Sequence, residues 1–388
     1  VVEYIFMEGV YMNKRFRTAI VGNGLIANAA HLPAIQLLKD EYEVIAVADM
    51  RLAAAQETAG RFGIPNVYTD TDRMLAEIKP EVVIVATSNA FHKEITMKAL
   101  AAGANVVCEK PVALKYADAV EMFAEAEKRG LKFFPAQTER FKTNRLAAKR
   151  LIDSGVLGNI YFAEFEAVRR RGIPRWGFFH MKEYNVGGPF CDLAVHEIDH
   201  MLSCLGNPRA LTVSGSTWTK IGNSGKELQT SAEQSGAFGG IKITPRPYDW
   251  KEFNVEDMAT GIIRLEGDIT VNFKTSWAVN LPDRWTRSYA GEKAGMVYGN
   301  DFPMSICGDI AGWQADTIPA VFPETDYPEN LPFPGHVGLL KNVAAVLRGE
   351  AEPVVKKEET LNVTAIIEAF YASAEQKKEI NCAEIINK

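Results

Sequence analysis

Between Arg17 and Phe134 short apolar runs alternate with amphipathic stretches long enough for three or four helical turns. The runs are Arg17–Val21 (RTAIV), Glu43–Ala48 (EVIAVA), Val67–Tyr68, Val82–Ala86 (VVIVA), Val106–Cys108 and Lys132–Phe134. The stretches between them, through Leu38, Ala53–Phe62, His92–Ala102 and Tyr116–Arg129, carry helical periodicity. Runs apolar on both faces must be covered on both faces, so the pattern predicts an α/β fold with a doubly wound parallel sheet. At 388 residues, 47% of them apolar and 24% charged, the chain is expected to form two domains.

The first run ends in Gly22-Asn23-Gly24-Leu25-Ile26-Ala27, a G-x-G-x-x-A turn between strand and helix, and the second ends at Asp49. That is the layout of a dinucleotide site. Gly22 permits the tight turn, Gly24 lets backbone approach the pyrophosphate, and Ala27 allows close helix–strand packing. The helix start offers its free N–H groups to the anion. Asp49 is expected to accept from an adenosine ribose hydroxyl and to repel a 2′-phosphate, favouring NAD. Arg51 tempers this, since an arginine there can pair with the phosphate of NADP. Ligands of such sheets bind beyond the carboxyl ends of the strands. Thr87-Ser88-Asn89-Ala90-Phe91-His92 and Glu109-Lys110-Pro111 lie at two such ends, with Lys110 expected on the nicotinamide side. Thr87, Asn89, His92, Glu109 and Lys110 therefore join the glycine turn, Asp49 and Arg51 as candidate cofactor contacts. An exposed helix position is expected for His31, and His336 carries no assignment.

Net charge is −6 and no basic cluster suits nucleic acid. The densest basic run, Arg169-Arg170-Arg171, is too short for a polyanion but could meet a phosphate or a carboxylate. Five scattered cysteines without C-x-x-C spacing argue for free thiols in a reducing compartment, and no apolar run approaches membrane-spanning length. A cytoplasmic protein is expected. Residues 1–16 lack the marks of a signal peptide, and Met12 is read as the natural start, the earlier residues being a leader or an upstream-start artefact.

Gly187 to His200 (GGPFCDLAVHEIDH) supports two incompatible chemistries. On a helix Asp192 and His196 stack on one face, which suits proton transfer to or from a substrate hydroxyl. Yet His196-Glu197-Ile198-Asp199-His200 spells H-E-x-x-H, the helical zinc signature of metalloproteases. The zinc reading needs a third ligand and an open position. Position 203 is Ser where the longer motif needs Gly, no downstream acid stands at the usual spacing, and the nucleotide fold is left idle. No metal is therefore expected.

Beyond Gln137 the pattern changes. A helix from Asn144 to Ser154 precedes the alternating run Ile160–Val168, and Leu211–Trp218, Met258–Glu266 and Ile269–Val279 read as further strands, the last two joined by Glu266-Gly267-Asp268. Asn223 to Asn254 is polar, glycine-rich and too long for an ordinary connection, as a lid or interface arm would be. Gly335–Leu347 and Thr360–Lys378 read as closing helices. Residues 17–137 are thus assigned to nucleotide binding and 138–388 to substrate binding and oligomerisation, after an extension over 1–16. The loop from Arg171 to His180 mixes arginine donors with aromatic faces, which suits a hydroxyl-rich ring. Arg171 and Trp176 are the candidate substrate contacts, with His180 a weaker one, while Trp277, Trp285 and Arg284 read as packing or rim residues.

Taken together, the glycine turn, Thr87–His92, Glu109-Lys110-Pro111 and the G-G-x-x-x-D-x-x-x-H-x-x-D run of Gly187–Asp199 resemble the glucose–fructose oxidoreductase/inositol dehydrogenase (Gfo/Idh/MocA) family. The resemblance implies an N-terminal Rossmann domain and a C-terminal α/β domain with a large, open, mainly antiparallel sheet that often supports homo-oligomers. It implies an NAD(P)-dependent dehydrogenase acting on a secondary alcohol of a small-molecule sugar, glycoside or polyol, with Lys110, Asp192 and His196 as the catalytic group and as substrate contacts. A pyranoside ring alcohol, at C3, is the expected substrate, with inositol the competitor. Pro189 and Ala194 depart from the family's glycines without removing a reacting group. A nucleotide-bound regulator without turnover is the rival from another class, and retention of Lys110, Asp192 and His196 together argues against it.

Overall fold

The computed structural model describes residues 15–387 apart from 226–243, 245, 300–302, 320–324, 326 and 329–330. The N-terminal extension and most of the expected arm at 223–254 fall outside the described residues.

Six parallel strands form the first sheet: β1 (Phe16–Val21), β2 (Tyr42–Ala48), β3 (Asn66–Tyr68), β4 (Val82–Val85), β5 (Asn105–Cys108) and β6 (Phe133–Pro135). Their spatial order is β3-β2-β1-β4-β5-β6. The order reverses between β1 and β4, which is where a crevice opens at the carboxyl ends. β4 shows why its run has no polar alternation. Val82 and Ile84 point into the core on one face, Val83 and Val85 into the core on the other, and all four are fully buried. The helix Thr71–Ile78, capped by the Asp70 carboxylate, completes the β3–β4 connection and has no counterpart in the sequence reading. A later part of the chain seals this domain. The helix Gly335–Leu347 puts Val337, Leu340 and Val343 into the first of those cores, and Tyr42 donates its hydroxyl to the Leu340 carbonyl at 2.6 Å.

The second sheet has nine strands: β7 (Ile160–Val168), β8 (Ala210–Trp218), β9 (Met258–Leu265), β10 (Ile269–Ser276), β11 (Arg284–Gly291), β12 (Gly295–Gly299), β13 (Ser305–Ile310), β14 (Trp313–Thr317) and β15 (Ile380–Asn381). Their order is β14-β13-β12-β11-β7-β10-β9-β8-β15. Among the described residues only the central β7–β10 pair is parallel; the other pairings are antiparallel. β9 and β10 form the expected hairpin, with Gly267 and Asp268 both at positive φ in its turn. One face of the sheet packs on the helices Val195–Cys204 and Lys357–Gln376, burying Phe165, Phe190, Phe273 and Phe370 together. The strand neighbours Glu164, Glu166, Asn272 and Lys274 lie on the other face, which is polar. Among the described residues no helix is long and apolar enough to cross a membrane.

Candidate active site

A cavity of about 680 Å³ opens at the carboxyl ends of β1, β2, β4 and β5 and runs to the second sheet. Its size suits a cofactor with a small substrate. At one end lies the glycine turn. Gly22 has φ +92°, and a Cβ there would stand 2.4 Å from the Ala86 carbonyl oxygen, so only glycine fits between β1 and β4. A Cβ on Gly24 would meet no protein atom within 4 Å and would instead fill the cavity. Sterics inside the protein thus demand the first glycine, whereas only a ligand at close range demands the second. Asp49 is nearly buried; its Oδ2 accepts from Asn23 N at 2.7 Å and its Oδ1 from Arg51 N at 2.9 Å. The carboxylate therefore pins the glycine turn to the end of β2, while the Arg51 side chain lies beside it, Nε to Oδ1 3.6 Å. Leu25, Ile26, Thr87 and Asn89 also line the cavity, and Asn89 donates to the Asn185 carbonyl across the domain junction. These residues fit a dinucleotide: an uncrowded glycine, a carboxylate at the second strand end and an unobstructed helix start.

His92 lines the cavity, and His31 sits differently from its sequence expectation. His92 is fully buried, with Nδ1 facing the Pro111 carbonyl at 2.8 Å and Nε2 the Thr87 carbonyl at 3.2 Å, so its ring braces the two strand ends from behind. His31, expected on an exposed helix face, is also fully buried, on a π-helical turn at Ala27–His31. Its Nε2 meets Glu109 Oε1 at 2.8 Å, and His336 Nε2 meets the same oxygen at 3.1 Å. Burial would push the Glu109 carboxyl up, but the two imidazoles outweigh it and hold the group well below the usual range. The other Glu109 oxygen accepts from Lys110 N at 3.2 Å, so this pair of histidines holds the residue that carries the lysine. Sequence reasoning missed it because 227 residues separate Glu109 from His336. These three side chains bring ligand atoms within 4.8 Å of one another. Both imidazoles present Nε2 to the same Glu109 oxygen, a hydrogen-bonding arrangement.

At the other end the two domains meet. Lys110 Nζ donates to Asp192 O at 2.7 Å and to Asp192 Oδ1 at 3.1 Å, and Trp277 Nε1 donates to Asp192 Oδ2 at 2.9 Å. Asp192 and His196 do not share one regular helix. Phe190–Ala194 is a π-helical turn and the α-helix begins at Val195, a local irregularity of the kind that re-aims side chains at functional sites. The preceding Gly188 packs so tightly that a Cβ would lie 1.9 Å from the Glu256 carbonyl oxygen, and Val186 before it takes φ +66°, a strained value for a β-branched residue. Burial raises the Asp192 carboxyl, yet Lys110, Arg169 and Trp277 outweigh it and keep the pKa below its ordinary value. Burial, reinforced by Lys110, pushes His196 down to about 3, so its imidazole is neutral at pH 7.

The rest of H-E-x-x-H is tied up elsewhere. Glu197 is buried between Arg145 Nη2 at 2.7 Å and Arg287 Nε at 2.8 Å, Asp199 pairs with Arg140 at 2.7 Å, and His200 Nε2 faces the Arg145 carbonyl at 3.1 Å. Among the described residues His196, Glu197 and His200 bring no three ligand atoms together. Trp176 lines the cavity and is nearly buried, packed edge-on to Phe179 at 6.0 Å. Arg171, by contrast, is not at the cavity: it donates to the Val279 carbonyl at 3.0 Å and to Asn280 Oδ1 at 2.8 Å, bracing the strand ends. His180 is likewise turned away, 3.4 Å from Glu252. Trp285, expected as packing or rim, is at the cavity, and Glu139, Lys142, Arg145, Arg169 and Arg287 enter it unforeseen. Of the expected arm, Thr244 and Arg246 reach the cavity, where Thr244 N meets Glu57 Oε2 of the nucleotide domain at 3.3 Å.

Residues 16–137 match the family profile described as "Oxidoreductase family, NAD-binding Rossmann fold", and residues 146–297 match the GFO/IDH/MocA C-terminal domain. The chain is 33% identical over 308 residues, 79% of its own length and 82% of the relative's, to a D-glucoside 3-dehydrogenase of Escherichia coli (strain K12). Two solved structures share the fold. An aldose–aldose oxidoreductase from Caulobacter crescentus, complexed with glycerol, is 20% identical at TM-score 0.73, covering 95% of this chain and 100% of that one. GenD2 from gentamicin A biosynthesis, in complex with NAD, is 21% identical at TM-score 0.74, covering 97% and 99%. With both family profiles matched and the glycine turn, Glu109-Lys110 and Asp192–His196 assembled around one cavity, the chain belongs to the Gfo/Idh/MocA family of NAD-dependent oxidoreductases.

Proposed function

We propose that this enzyme oxidises a ring secondary alcohol of a glucoside, at C3, to the keto-sugar. The observation that carries the reading is the meeting of Lys110, from the end of β5, with Asp192 beside the neutral His196, in the cavity that also holds the glycine turn. The activity named for the relative that is 33% identical supports the substrate class. Residues 17–137 bind the dinucleotide and 138–388 the sugar. Asp49 accepts from the adenosine ribose, which sets the preference for NAD over NADP.

When bound, the nicotinamide supplies the hydride acceptor. His196, kept neutral by burial, accepts the hydroxyl proton. Lys110 donates a hydrogen bond to the same oxygen and stabilises its developing negative charge. Asp192 aims the Lys110 amine and is itself held by Trp277. Trp176 offers an apolar wall to the C–H face of the ring. Absorbance at 340 nm with NAD and a panel of methyl glycosides, free sugars, inositol and linear polyols, followed by product NMR, tests the reading. Reduction with a 3-keto product from a glucoside is expected. Turnover confined to inositol or linear polyols would replace the glucoside, and NAD binding without any turnover would favour a regulator.

A further inference from the structure

The glycine that a ligand at close range demands is also the loosest point of the turn. Gly24 has no Cβ, so the peptides on either side of it, Asn23–Gly24 and Gly24–Leu25, rotate at little cost. Anion binding at a helix start needs them fixed, because it depends on where their N–H groups point. One side chain grips both. Asn28, on the π-helical turn and only 3% exposed, donates from Nδ2 to the Asn23 carbonyl at 3.1 Å and to the Gly24 carbonyl at 3.0 Å. Its backbone N meets the Gly24 carbonyl as well, at 3.3 Å. In a trans peptide the C=O and N–H groups point opposite ways. With both carbonyls drawn back onto Asn28, the N–H groups of Gly24 and Leu25 turn out of the helix start, beside the cavity that both residues line. Asp49 holds the preceding peptide of the turn through Asn23 N.

The Asn28 amide is itself locked. Exchanging its two ends would set Oδ1 against two carbonyl oxygens, which have no proton to give. Thr58 Oγ1 lies 3.0 Å from Nδ2 and 3.2 Å from Oδ1, and its proton goes to Oδ1, leaving both amide hydrogens for the two carbonyls. Arg61 Nη1 donates to the same Oδ1 at 3.3 Å, and Glu57 holds Arg61 in turn, 2.8 Å from Nη2. All three residues stand on the helix Leu52–Phe62 that follows β2.

We propose that Asn28 is a positioning residue for the coenzyme: it fixes the two peptides flanking Gly24 so that their N–H groups receive the pyrophosphate. This role belongs to the coenzyme end alone and holds whichever alcohol the enzyme oxidises. Calorimetry of the wild type, N28D and T58V with NADH and ADP-ribose, and with adenosine by displacement of NADH, tests it. N28D keeps the shape but replaces the donating nitrogen by an oxygen facing two carbonyls. It should bind NADH and ADP-ribose roughly 10- to 100-fold more weakly, while adenosine, which has no pyrophosphate, should lose less than about threefold. T58V keeps both amide hydrogens but takes the hydroxyl proton from Oδ1, and should weaken NADH by roughly three- to tenfold.

NADH affinity in N28D within about threefold of the wild type would overturn the role. Equal losses on adenosine and ADP-ribose would overturn it too, since a residue that only supports the fold would weaken both alike. If N28D does not fold, T58V decides: a loss on NADH and ADP-ribose that spares adenosine supports the role, and unchanged NADH affinity or an equal loss on adenosine overturns it.

Discussion

Replacing Glu197 by Gln separates two readings of the same residue. In a zinc site it would be the general base, and its amide would abolish chemistry with little effect on the fold. Here it is a buried anion between two buried guanidiniums, Arg145 and Arg287, and burial alone would raise its pKa had those cations not held it well below the usual range. The amide keeps the shape but removes the charge, leaving Arg287 uncompensated and Arg145 with Glu139 alone. Breaking a buried pair in this way costs about 3–5 kcal/mol. At roughly 2–4 °C per kcal/mol for a domain of this size, the melting temperature should fall by about 6–20 °C. The assay is thermal unfolding of wild type, E197Q, R287M and the double variant, read by circular dichroism with residual activity measured well below the transition. The double variant should recover part of the loss, since the two side chains touch. A drop under about 2 °C for E197Q, or additive losses in the double variant, would refute the account of this cluster.

Three further outcomes follow from the same geometry. His196→Ala should lower turnover by roughly two to four decades with NAD affinity unchanged by calorimetry, and an unaltered rate would remove the imidazole from proton transfer. Acid should destabilise the fold early. His92, His196, His200 and His336 all have pKa values lowered by burial, to about 3 for His196 and His200, so the unfolded chain binds protons that the folded chain refuses. Their stabilisation is complete above the unfolded value near 6.5 and is lost as pH falls from there towards 3. The urea midpoint should therefore drop between pH 7 and pH 5, and a midpoint flat over that interval would contradict it. Asp49→Ser should raise kcat/KM with NADP relative to NAD by at least about tenfold, because Arg51 remains to meet the 2′-phosphate; an unchanged ratio would show that Asp49 does not select the coenzyme.

The parallel sheet was legible because its strands are buried on both faces and therefore carry unbroken apolar runs, as β4 illustrates. The helix Thr71–Ile78 was not, having only Met74 and Leu75 buried in a polar stretch. β11 to β14 escaped as well, since polar and charged residues such as Arg284, Arg287 and Asp309 interrupt their alternation, and Arg287 is buried only because Glu197 pairs with it. Motif spacing led to Lys110, Asp192 and His196, but helical spacing did not foresee the π-turn that carries Asp192. Arg171 was singled out from the run of three because sequence gives no sign of where each side chain is tied; Val279 and Asn280 hold Arg171 away from the cavity, whereas Arg169, held by the Gly172 carbonyl, lines it. His31 and His336 converge on Glu109 from elements far apart in sequence, a contact that no local pattern encodes.

In the proposed reaction a hydrogen leaves a ring carbon of the sugar for the coenzyme while the groups of two domains handle the hydroxyl proton. Methyl β-D-glucoside carrying deuterium only at C3 tests it, with the NADH formed analysed by mass spectrometry. The coenzyme product should be one mass unit heavier, form more slowly than from the unlabelled sugar, and be lost in Lys110→Met. Unlabelled NADH, or a heavy product made just as fast by the Lys110 variant, would contradict it.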